Sequence, residues 1–179
     1  WTRRAALLGS GAVLGALGYR SLASHNPTLD GAGSKATVNP PGTLNDASLL
    51  SQTPIHKHII LNDDPGETLV AAIRAEMKEA RENGRPVNVS AARHSMGGHS
   101  IPLDGHAITF DNGQIEPDAS QGTYRAAAGA RWAQVISAID PIGYSPKVMQ
   151  SNNDFGIAAT FCVNAHGWPV PFGPMGSTV

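Results

Sequence analysis

An α+β fold follows from three observations on the sequence. A strand–helix–strand unit occupies residues 57 to 91, further strand-like runs follow it without regular alternation with helices, and a short amphipathic helix comes after them. Neither an all-helical period nor the evenly spaced short strands of a sandwich are present.

Each element has its own signal. In "HKHIILNDD" the run from His58 to Leu61 is apolar and β-branched, which suits a strand. In "DPGETLVAAIRAEMKEARENG" Asp64 can cap, Pro65 fits the first turn and Glu67 sits where a capping box needs it. Leu69, Ile73, Met77 and Ala80 then recur on one helical face until Gly84. "PVNVSA" reads as the second strand, with Val87 and Val89 on one face. "HAITFD" and "TYRAAAGA" are further strands, separated by the turn-rich "NGQIEPDASQG", in which Glu116 and Asp118 read as solvated. Trp132, Val135, Ile136 and Ile139 mark the amphipathic helix, ending near Pro141 and Gly143. "DFGIAATFCVNAHG" is either a short helix or backbone packed closely against a ligand.

A length of 179 residues suits one domain with an appended segment. The net charge of −1 supplies no basic field, so nucleic acid is not an expected partner. Cys162 is the only cysteine and makes no intramolecular disulfide; it reads as a small buried residue, and Trp132 and Trp168 as core packing. The sequence starts at Trp1 and stops at "GPMGSTV", so both ends read as cut. Near the start, Arg3-Arg4 precedes a mildly apolar stretch, Ala5 to Leu17, and then Ser21-Leu22-Ala23. That stretch is too short and glycine-rich for a stable membrane span. It resembles a twin-arginine (Tat) signal, which implies a periplasmic or secreted protein exported already folded. The expected division is a signal at 1–23, a polar linker at 24–53 and a domain at 54–179.

Three loops carry small and polar residues that let backbone N–H groups approach an anion. The first is Arg93-His94-Ser95-Met96-Gly97-Gly98-His99-Ser100. The second runs from Gln150 through Ser151 and Gly156 to Asn164-Ala165-His166-Gly167. The third is Gly173 to Thr178, with Gly176 and Ser177. No GxGxxG follows the first strand, so a Rossmann site is not supported.

In their order and spacing these loops resemble the vanillyl-alcohol oxidase family of flavoproteins, whose FAD domain is of the PCMH type. "ARHSMGGHS" resembles that family's Gly-x-x-His-Ser loop, "VNAHG" its Thr-His-Gly or Asn-Ala-His-Gly turn, and "AAAGARWAQVISAID" its Gly-Ala-Gly-x-x-Trp stretch. Ala91-Ala92 and Ala158-Ala159 depart from the family's glycines. The resemblance implies an FAD-binding PCMH-type domain of two small α+β subdomains, truncated at its C-terminus, in an FAD-dependent oxidoreductase. Its substrate would be an alcohol, sugar or lactone, and its electron acceptor O₂ or another molecule. FAD would contact Arg93, His94, Ser95, Met96, Gly97, Gly98, His99, Ser151, Gly156, Asn164, His166, Gly167, Gly176 and Ser177. The family's loop histidine often bonds covalently to the flavin C8 methyl. His94, close behind its strand, matches that register better than His99. No catalytic base is identified, because in the family it comes from a C-terminal domain.

Other readings compete. The chain would be a non-catalytic exported module binding a nucleotide or a metal if no substrate domain accompanies it. The spacings of His94, His99 and His106 fit no standard metal motif, so no metal site is expected. His56 and His58 read as surface residues of a strand.

Overall fold

The computed structural model describes residues 39–62, 66–169 and 171–179. The Tat-like segment and the capping pair Asp64-Pro65 lie outside them. No helix among the described residues is long and apolar enough to cross a membrane.

Mixed helices and strands make separate sheets, an α+β arrangement. A small antiparallel pair, β1 (Thr43–Leu44) and β2 (Thr53–Pro54), precedes the main sheet. The main sheet comprises β3 (Lys57–Leu61), β4 (Val87–Ser90) and β5 (His106–Phe110), all parallel, with β5 between the other two. Helix α1 (Glu67–Glu82) joins β3 to β4. The strand–helix–strand unit therefore exists, but its two strands are not neighbours. Parallel strands cannot be joined by a tight turn, so the segment from 91 to 105 must travel back along the sheet before β5 can enter. That segment carries the histidine loop.

Strand alternation sorts β5 into two faces. His106 and Ile108 share the face of Lys57, where α1 packs and Glu76 meets His106. Ala107 and Thr109 point the other way, where Leu44 and Ile101 pack on Ala107 and the Arg93 side chain reaches Thr109. Both faces of β5 are covered, which is why its first four residues are buried. Residues 39–53, the end of the expected polar linker, are folded onto this unit: Leu44 and Asp46 are buried.

The second half forms its own core. The hairpin of β6 (Ile115–Asp118) and β7 (Thr123–Ala126) packs with α2 (Trp132–Ile139) and α3 (Ile157–Cys162) around Trp132, Val135, Val148 and Met175. The two halves touch where Gly129 lies against the backbone at the end of β5; a Cβ there would sit 2.7 Å from the Phe110 carbonyl.

Several sequence expectations are corrected. Glu116 to Asp118, read as turn, lie in β6, where Pro117 is tolerated because a hairpin edge needs fewer ladder donors. β7 stops at Ala126 instead of running to Ala130. Met77 is 56 % exposed, because the inward stripe of α1 runs through Ile73, Glu76 and Ala80 and the three-stranded sheet is too narrow to cover more. Cys162 closes α3 on its exposed side, and Trp168 is 81 % exposed, so neither is a core residue. Trp132 is buried, as expected, with its Nε1–H donated to Thr160 Oγ1 at 3.3 Å.

Candidate functional site

The histidine loop leaves β4 at the carboxyl end of the parallel sheet, the end where open parallel sheets bind ligands. Arg93 takes a left-handed conformation (φ 50°), donates Nε–H to Asn45 O and a terminal N–H to Thr109 Oγ1, and thereby ties the loop to the sheet. Burial, and then the nearby charge of Arg131, push the Arg93 pKa below its usual value. Two guanidinium groups so placed favour an anion between or beside them.

The second loop is bonded onto the start of α2. Trp132 N–H and Ala133 N–H donate to Phe155 O and Asn153 O, and Ile157 N–H donates to Ala130 O. This short antiparallel match sets Asp154 between two partners. Its Oδ1 accepts from Arg131, and its Oδ2 lies 2.7 Å from His94 Nε2. The His94 ring also rests against Phe155, centroids 4.6 Å apart. A Cβ on Gly156 would lie 3.2 Å from the Ala91 Cβ, so the first two loops touch.

Beyond His94 the loop turns through Gly97 and Gly98, at φ 82° and 72°. Among the described residues, the N–H groups of Ser95, Met96, Gly97 and His99 donate to no acceptor. Gly98 N–H is different: it donates to the buried carboxylate of Asp46, whose pKa is lowered to about 2, first by the Ser48 hydroxyl and, against the cost of burial, by Gly98 N–H. Ser95, Met96, Gly97 and His99 are exposed, and the His99 ring lies over Gly97. Ser100 Oγ is buried without a partner among the described residues.

The third loop buries Met175 in the core around Trp132 and is hydrogen-bonded to the far end of the second loop. Asn164, left-handed at φ 47°, accepts Gly176 N–H on its side-chain oxygen, and Met175 N–H donates to Ala165 O. Gly167 abuts the Met149 carbonyl. His166 is exposed, and Ser177 Oγ–H donates to Pro174 O. The six residues of α3 separate this cluster from Gly156 by about 9 Å. Ser151 is exposed near the start of the second loop. On the other side of the Gly156 turn, Ile157, Ala158 and Phe161 line a cleft of about 420 Å³ with Tyr124, Ala126 and Val148.

Sequence reasoning missed Asp154, Phe155, Arg131 and Asp46. Asp154 opens the stretch "DFGIAATFCVNAHG", and Arg131 stands in "GARW"; only the pairing of residues 130–133 with 153–157 shows that they meet. His106, weighed with His94 and His99 and not expected to bind metal, stands apart from both. Its neighbours are His56 and Glu79, whereas His94 and His99 belong to the loop after β4.

A family described as "FAD binding domain" matches residues 68–179. No curated protein matches the chain. The residues present suit an FAD pyrophosphate: two arginines, a glycine turn and four unbonded N–H groups stand together at the carboxyl end of the sheet. Gly98 is the exception, since its N–H already serves Asp46.

Proposed function

Because the chain belongs to the FAD-binding domain family and FAD is that family's cofactor, we propose that it is the flavin-binding part of an oxidoreductase acting on an alcohol, sugar or lactone, with FAD joined to His94. When bound, the flavin supplies a hydride acceptor, and O₂ or another molecule takes the electrons onward. The chain's own residues hold and orient the cofactor.

One observation carries the assignment of His94: its Nε2 faces the Asp154 carboxylate, which Arg131 holds in place. A carboxylate only accepts, so the proton sits on Nε2 and Nδ1 keeps its lone pair. Nδ1 would then be the nucleophilic atom: it would bond to the C8 methyl carbon as that carbon gives up a proton, the two electrons left on the flavin would pass to O₂ or the other acceptor, and Asp154 would stabilise the charge that the ring gains. His99 has no such partner among the described residues. Arg93, Arg131 and the N–H groups from Ser95 to Gly97 take the pyrophosphate in this reading, and Ser151 and Gly156 flank it. Asn164, His166, Gly167, Gly176 and Ser177 form a separate wall at the far end of α3. Export as a folded, cofactor-loaded protein through the Arg3-Arg4 signal belongs to the same proposal.

Acid precipitation of the holoprotein tests it. Flavin should stay with the wild-type and His99→Ala proteins and appear in the supernatant of His94→Ala. Asp154→Asn should slow attachment on the order of 100-fold while leaving the fold intact. Flavin freely released from wild type, or a flavinylated peptide carrying the group on His99, overturns the assignment.

A further inference from the structure

We propose that His56, Glu79 and His106 bind a divalent transition-metal cation of the zinc type, with Glu76 holding the His106 ring. The site goes beyond the flavin reading and is spatially separate from it. His106 opens β5, whereas Arg93 and Thr109 meet near the strand's other end, about 10 Å away at the usual strand rise.

The unusual feature is His106 itself. Its side chain is completely buried, and its Nδ1–H donates to Glu76 Oε2 at 3.0 Å. That bond fixes the tautomer, so Nε2 carries a lone pair. Nε2 is buried and has no partner among the described residues. A buried acceptor without a donor is costly, and a cation removes that cost. A carboxylate that orients a histidine through one ring nitrogen while the other takes a metal is a recurrent arrangement.

Two further ligands stand where such a cation needs them. The His56 ring lies 5.3 Å from that of His106, centroid to centroid. One ligand atom from each of His56, Glu79 and His106 lies within 4.8 Å of the others. A tetrahedral zinc centre, with bonds of about 2.0–2.1 Å, holds its ligand atoms about 3.4 Å apart. The exposed His56 side chain, free to rotate, can close most of that difference. Glu79 gives Oε2 to Lys57 and keeps Oε1. Lys57 faces two carboxylates, Glu76 and Glu79, which leaves the cluster one negative charge in excess before a cation arrives. Nitrogen-rich donors select zinc-like ions over magnesium, and the fourth position is open to water.

The test uses the full chain, stripped with a chelator and titrated with Co²⁺ while visible absorption is followed. One equivalent should bind with the intense bands of a four-coordinate site, be displaced by Zn²⁺, and resist excess Mg²⁺. His56→Ala, at an exposed position, and Glu79→Gln should each weaken Co²⁺ binding at least tenfold with an unchanged circular dichroism spectrum. Glu76→Gln should weaken it less, and binding should raise the melting temperature only where it survives. The proposal is overturned if wild type shows no such bands, if His56→Ala binds as wild type does, or if binding disappears instead in His94→Ala or His99→Ala.

Discussion

Asp46 accepts from Ser48 N–H, Ser48 Oγ–H and Gly98 N–H. It reaches from the β1–β2 strand pair into the histidine loop, and it is buried. Asp46→Ala should lower unfolding stability by about 1–3 kcal/mol, read by urea titration at neutral pH. The pH dependence follows from the folded value of about 2 against 3.8 for the free side chain. A depressed carboxylate contributes its stability above its unfolded value and loses it as pH falls through the folded one. The wild-type and Asp46→Asn stabilities should therefore converge between pH 4 and about 2; parallel curves over that range exclude the role. At this scale the sequence was informative about type and silent about partner. His94 stands out from its loop of small residues, but its partner Asp154 lies 60 positions away, and Asp46 lies 52 positions before its partner Gly98. Local spacing carries no trace of either.

Helix α1 was the most legible element, because its period and its terminal glycine are local signals: Gly84 adopts φ 64°, and Arg85 N–H closes on Ala80 O. Strands β4 and β5 and helix α2 were legible for the same reason. The order β3-β5-β4 was not, since which parallel strand slots between two others depends on the path of a connection rather than on any run of residues. The loops flanking these elements are held by contact more than by sequence pattern. Gly156 is where the first loop comes against the second, its Cβ position 3.2 Å from the Ala91 Cβ. Gly156→Val places a branched side chain where Ala91 already sits. Overpacking of about 1–3 kcal/mol should separate the loops and weaken FAD retention by roughly tenfold, measured as flavin remaining after dialysis of non-covalently loaded His94→Ala protein. Retention equal to that of His94→Ala alone would show that the two loops do not act together on the cofactor.

On the scale of the whole molecule two cores lie side by side, one around β5 and one around Trp132. Trp132 is the largest side chain in the second core and is 1 % exposed. Trp132→Ala should lower stability by about 3–5 kcal/mol, which is a large share of a domain's usual 5–15 kcal/mol. A second urea transition appearing in that variant, with the β5 half still folded, is the expected signature of two cores; a single transition shifted as a whole would mean that the Gly129–Phe110 contact couples them fully. The α+β class could be anticipated from the periodic segments of the sequence, and the two small subdomains from the family resemblance of its loops. The folding of residues 39–53 could not, because a stretch rich in Pro, Gly, Asn and Ser has the composition of a linker whether or not Leu44 finds a cavity.

The position of β5 has a practical consequence for anyone dividing the chain. The family match begins at residue 68, inside α1, so a fragment trimmed to it would discard β3 together with the strand pair that carries Asp46. One side of β5 would then present five residues of unpaired backbone, the kind of bare edge that recruits other chains. Such a fragment should collect in inclusion bodies, whereas one starting at Asn39 keeps the sheet's middle strand paired on both sides.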